Sequence, residues 1–196
     1  MPLFTFSIML VFVSSFVGLQ YIHVFSNIFI FISLAIASII VLIIILVWQR
    51  ENFALFLLFN LLEGFTLTPI IHIANVADPR IIPEAFGITS LVFLLFSLIG
   101  WFTKRDLSSL GGILLFLLLV AIILTFAQFF IKSLIFNLTV DIGVILLFMV
   151  FIVYDMNKIL RSYSNEDYIP ATISLYLDFI NIFVRVVSIL IRLRRK

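Results

Sequence analysis

Residues 27–48 read NIFIFISLAIASIIVLIIILVW, a run without one charged side chain. A helix needs about 20 predominantly apolar residues to cross the hydrocarbon layer of a bilayer, and this run is that long. Further stretches of the same character lie on both sides of it, at 3–20, 53–75, 82–102, 110–131, 134–156 and 169–191. Polar punctuation separates them: QYIHVFSN, QREN, NVADPR, TKRDLSS, the brief Lys132-Ser133 and NKILRSYSNED. The short alternating segments of a membrane β-barrel are absent. The sequence therefore predicts an all-α integral membrane protein, a seven-helix bundle forming one domain over 1–196 without a soluble appendage. The first stretch lacks a basic n-region and a small-x-small cleavage site, so it reads as a retained span.

Composition agrees. The chain of 196 residues is 64% hydrophobic and 11% charged, with a mean hydropathy of +1.35, whereas soluble domains carry about 25% charged residues. No cysteine is present, which excludes disulfides and thiolate metal sites. His23 and His72 stand alone, and no HExxH or clustered His/Asp arrangement points to a transition metal. Most of the net charge of +2 comes from the tail Arg192, Arg194, Arg195 and Lys196. Beside a membrane helix, anionic headgroups are its expected partner rather than nucleic acid.

If the spans alternate, Arg50, Lys104, Arg105, Lys158 and Arg161 fall on one side, with only Arg80 and Lys132 in the loops of the other. The positive-inside rule puts the first group, and the N-terminus, in the cytoplasm. Seven crossings then leave the basic tail on the opposite side, whereas a re-entrant last segment would return it. Sequence alone is compatible with both.

Charged residues inside the spans need a physical reason, because a carboxylate at the bilayer centre costs roughly 2.5–3.5 kcal/mol even on lenient insertion scales. Asp155 closes the run LLFMVFIVYD, and Asp178 lies in ATISLYLDFINIF. The short connection between these spans makes them antiparallel neighbours, with both acids toward the same membrane side. Two adjacent carboxylates cannot both ionise cheaply, and a shared proton relieves them. The bland alternative is an interfacial Asp155 and a packing acceptor at Asp178. Arg185 returns to the face of Asp178 about 10 Å along the axis, and Asn181 lies near that face. Asp141 shares a face with Asp155 near the other end of its span. Glu63, in NLLEGFTLTPI, either pairs with Arg185 or hydrogen-bonds Asn60 on its own helix. Pro69 removes a backbone donor from that span, and Thr66 and Thr68 are placed to satisfy freed carbonyls. Arg50 reads as a snorkelling anchor or as an ion-pair partner of Asp155.

At these residues the chain resembles the Bax inhibitor-1 (transmembrane Bax inhibitor motif) family, particularly its bacterial pH-sensitive calcium-leak members. The motifs run in order from 60 to 191 as EGFTLTPI, EAFGITSLVF, TKRDLSSLGGILL, VFIVYDMNKI and SLYLDFINIFVRVVSIL. The resemblance implies a last helix wrapped by the other six and a calcium leak regulated by pH through Asp155 and Asp178, which would also contact transient Ca²⁺. It implies a latch from an early-span basic residue, here Arg50. Two departures stand out. The second span carries no acid, for which Glu63 is the candidate substitute, and Arg185 adds a positive charge that opposes cation passage unless neutralised.

Three functions follow as expectations. The first is a proton-gated cation leak, with Ca²⁺ as the transported ion and no bound cofactor. The second is a membrane interaction protein that modulates cell death or a membrane protease without flux of its own. The third is an intramembrane aspartyl protease, but the tetrapeptide Leu175-Tyr176-Leu177-Asp178 is bulky where such proteases need glycines, so no enzyme is expected. The expected location is a multi-pass position in a prokaryotic plasma membrane, or an endomembrane in a eukaryote.

Overall fold

The computed structural model describes residues 2–48, 52–162 and 168–194. Among them no strand occurs, and the helices are α1 (Pro2–Gln20), the single turn α2 (Ile22–Phe25), α3 (Ile28–Trp48), α4 (Phe53–Ala77), α5 (Ile81–Phe102), α6 (Gly111–Phe130), α7 (Leu134–Ser162) and α8 (Tyr168–Arg194). All but α2 are long and apolar enough to cross a membrane. Helices satisfy their own backbone groups, which is the condition for crossing hydrocarbon. Hydroxyls inside the spans follow the same rule: Ser14 donates to Leu10 O at 2.9 Å and Thr139 to Ile135 O at 2.9 Å.

The chain divides into two compact units, Met1–Val76 with Ser164–Tyr176, and Ala77–Tyr163 with Leu177–Lys196. In the first, α1 buries the face Ser7, Val11, Ser14, Ser15 and Gly18, a helical repeat of mostly small residues. Small faces let membrane helices approach closely. A Cβ on Gly64 of α4 would lie 1.8 Å from Ser14 Oγ and 2.5 Å from Val11 O, so only glycine fits there. Thr68 reaches across to Ser15 O at 3.4 Å. Thr66 and Thr68 donate to Glu63 O and Gly64 O of their own helix, and α4 runs unbroken through Pro69.

In the second unit, α5 packs against α7 where Gly100 meets the backbone of Val153 and the Cβ of Met156. The α5–α6 connection is fastened to the end of α7. Asn157 Nδ2 donates to Thr103 O at 3.0 Å and Arg105 O at 3.1 Å, and its Oδ1 accepts from Leu107 N at 3.2 Å. Arg161 adds bonds to the carbonyls of Thr103 and Lys104. In the same connection the backbone N–H of Ser108 donates to Asp106, holding that carboxyl below its ordinary range.

Helix α8 is the most buried span, α6 the least. α8 is one unbroken helix of 27 residues, about 40 Å long at 1.5 Å per residue, so the last segment is not re-entrant. At its end Arg194 ion-pairs with Asp78 and Glu84, which flank the α4–α5 connection. The C-terminal end of α8 therefore lies beside that connection. The N–H of Arg80 and the Arg194 guanidinium together hold the Asp78 carboxyl below its ordinary value.

Candidate functional site

Several polar residues of α7 and of α8 after Leu177 meet at two levels. At the first, the carboxyls of Asp155 and Asp178 are within side-chain hydrogen-bonding reach and feel one another's charge. Asp178 is 3% exposed, Asp155 is half-buried, and Asp178 Oδ2 has no hydrogen-bond partner. The adjacency expected from the short connection is thus present. Phe179, the next residue on α8, meets Phe86 and Phe93 of α5 edge-on.

At the second level Asp141 accepts from Arg185 and ion-pairs with Arg192, two of the three arginines of α8. Arg185 Nη1 lies 2.9 Å from Asp141 Oδ1 and Arg192 Nε 3.4 Å from Oδ2. Helix α6 supplies two further groups: Gln128 Oε1 accepts from Arg185 Nη1 at 3.0 Å, and Thr125 Oγ1 from Nη2 at 2.6 Å. Gln128 Nε2 returns a bond to Asp141 Oδ1 at 3.1 Å and another to Asn137 O at 3.0 Å. Ser188 Oγ donates to Asp141 Oδ2 at 3.0 Å and accepts from Arg192 Nε at 3.2 Å. Asp141 lies fourteen residues back from Asp155 on α7, while Arg185, Ser188 and Arg192 lie seven, ten and fourteen residues on from Asp178 on α8. The second level therefore begins about 10 Å from the first and extends to about 21 Å along the axis.

The remaining site candidates distribute as follows. Arg185 pairs with Asp141 and not with Glu63, which corrects one of the two readings of Glu63. The other, a bond to Asn60, also gives way: Asn60 Nδ2 donates to Phe56 O at 2.7 Å. Glu63 instead meets Ser38 of α3, so the third-span acid does turn toward the acid-free second span. Tyr176, T-stacked on Phe59, lies in the field of Glu63. Asn181 Nδ2 caps Leu177 O of its own helix at 2.7 Å and joins neither level. Asp141, which shares a face with Asp155, belongs to the arginine cluster. Arg50, with Arg195 and Lys196, lies outside the described residues.

Sequence reading overlooked Thr125, Gln128 and Ser188, and it assigned Arg192 to the headgroup tail. A signal was available. Thr125 and Gln128 are three apart on α6, and Arg185, Ser188 and Arg192 recur at three and four on α8, the spacing of one helical face. Among the described residues no three His, Cys, Asp or Glu side chains converge, so a cation at Asp155 and Asp178 would meet two carboxylates.

Comparison with known proteins adds an independent line. The family model described as inhibitor of apoptosis-promoting Bax1 matches residues 2–195. An uncharacterized protein of Campylobacter jejuni is 33% identical over 73% of this chain and 64% of its own length. A Golgi anti-apoptotic protein of vaccinia virus is 33% identical over 66% and 56%. Bax inhibitor 1 of Schizosaccharomyces pombe is 38% identical over 71% and 52%. The chain spans less than two thirds of the length of these relatives.

Proposed function

The chain belongs to the Bax inhibitor-1 family of multi-pass membrane proteins, and from that premise we propose that it is a pH-sensitive cation leak, with Ca²⁺ as the permeating ion. The observation that carries this reading is the meeting of Asp155 and Asp178 inside the spans. Carboxylate oxygens suit a hard cation. Two acids in contact exchange protons as a pair, so their proton count sets whether α7 and α8 are held together or repelled. A change in that count is a local charge event able to bias the helix contact that gates the path. Ca²⁺ flux into liposomes, followed across pH, tests it. D155N and D178N should each flatten the pH dependence, and full pH dependence in both variants would remove the pair from the mechanism.

A second reading is favoured by the names of the viral and yeast relatives, a Golgi anti-apoptotic protein and a Bax inhibitor. In it the protein acts by binding membrane partners and carries no flux. It predicts that wild-type protein in liposomes passes no Ca²⁺ at any pH, while defined partners co-purify with it from membranes.

A further inference from the structure

The arginine cluster does not enter the proposed gate, and its charge is unbalanced. One carboxylate, Asp141, faces two guanidiniums, Arg185 and Arg192, and the other groups around them, Thr125, Gln128 and Ser188, are neutral. A formal charge of +1 thus sits on the same α7–α8 seam as the aspartate pair, about 10–21 Å further along, with Arg192 the more exposed of the two guanidiniums at 30%. Arg185 is held by three side chains from two helices, at 2.6–3.0 Å, and is only 15% exposed. It has little freedom to swing aside. A fixed positive charge away from bulk water repels cations far more than the same charge at the surface.

We infer that Arg185 is a fixed electrostatic barrier to cations on the α7–α8 seam, with its height set by the compensating charge of Asp141. This rests on the cation-leak reading and adds to it the residue that limits cation flow and preference. The seam is then asymmetric, with carboxylates that attract cations at one level and an arginine that turns them back at the other.

The arrangement permits a clean substitution. In R185Q, Asp141 keeps Arg192, Ser188 and Gln128 as partners, so no buried charge is stranded, and the cluster falls from +1 to zero. R185K retains the charge. D141N/R185Q changes both members and restores +1 through Arg192. The measurement is Ca²⁺ flux in liposomes at one fixed pH, with the reversal potential under a CaCl₂ gradient giving cation over anion preference. R185Q should raise Ca²⁺ flux by about tenfold or more, the scale of one unit charge acting over about 10 Å in a protein interior, and should shift the reversal potential toward Ca²⁺. R185K and D141N/R185Q should stay within about threefold of wild type. A purely structural role predicts a different order, with R185Q impaired and the reversal potential unmoved. Either unchanged or lowered flux in R185Q, against a conducting wild type, overturns the barrier alone. Absence of flux in the wild type overturns the leak reading and the barrier with it.

Discussion

Asp141 and Asp178 are both almost wholly buried in spans, at 0% and 3% exposure, yet they stand in opposite surroundings. Asp141 has three donors on its two oxygens, one of them cationic, and a second cation, Arg192, at 3.4 Å. Asp178 faces another acid and leaves one oxygen without a partner. Buried charges are normally paired and buried polar atoms normally bonded, so the first is what stability requires and the second departs from it. An unsatisfied carboxyl beside a like charge is held there by the surrounding fold, and such departures concentrate at functional positions. The comparison separates a structural acid from a functional candidate within one pair of helices.

The largest effect should come from breaking the satisfied side. D141A strands Arg185 and Arg192 in the membrane, and removal of one member of a buried pair costs about 3–5 kcal/mol. Unfolding in detergent should show it, and D141L/R185M, apolar on both sides, should recover most of the loss. If D141A left the transition unchanged, the ion pair would not be structural. Next in size is the frame beside the aspartate pair. N157A loses three bonds to the α5–α6 connection and should cost about 1–3 kcal/mol, visible as faster proteolysis between residues 103 and 107. A smaller change, with the opposite sign, is expected at the unsatisfied acid. D178N removes a like charge and adds a donor facing Asp155, so stability should hold or rise by about 1 kcal/mol. A loss as large as that of D141A would erase the distinction between the two acids.

The smallest effect lies at the membrane surface. Asp106, bonded to the N–H of Ser108, titrates in the folded protein below its ordinary value of 3.8. Ionised Asp106 therefore stabilises the fold above that value, and the contribution is lost as pH falls through the folded value. D106N should melt slightly below wild type near neutrality and together with it in strong acid. A gap that persisted at low pH would show that the carboxylate charge is not its source.

Much of this was legible in the chain. Each of the seven spans lies where a predominantly apolar stretch reaches the length a bilayer demands, and even the weak break at Lys132-Ser133 separates α6 from α7. The neighbourhood of Asp155 and Asp178 followed from a short connection and antiparallel packing. Arg185 was visible as an anomaly, but its partner was not. Asp178, about 10 Å away along the same helix, is too distant for a direct salt bridge, and the choice between Glu63 and Asp141 depends on how each helix is rotated about its axis. Thr125 and Gln128 were harder still, since polar residues in a span are as often bonded to their own backbone, as Asn60 and Asn181 are.

The sequence by itself determined the solvent and the secondary structure, because a bilayer admits only segments that satisfy their own backbone over about 20 residues. It also placed two acids at one membrane level. Only the tertiary structure decided which charges meet, that Arg185 is compensated from α7 and steadied from α6, and that the end of α8 lies beside Asp78 and Glu84. Those outcomes depend on side-chain distances of about 3 Å between different helices. Hydropathy carries no information on that scale.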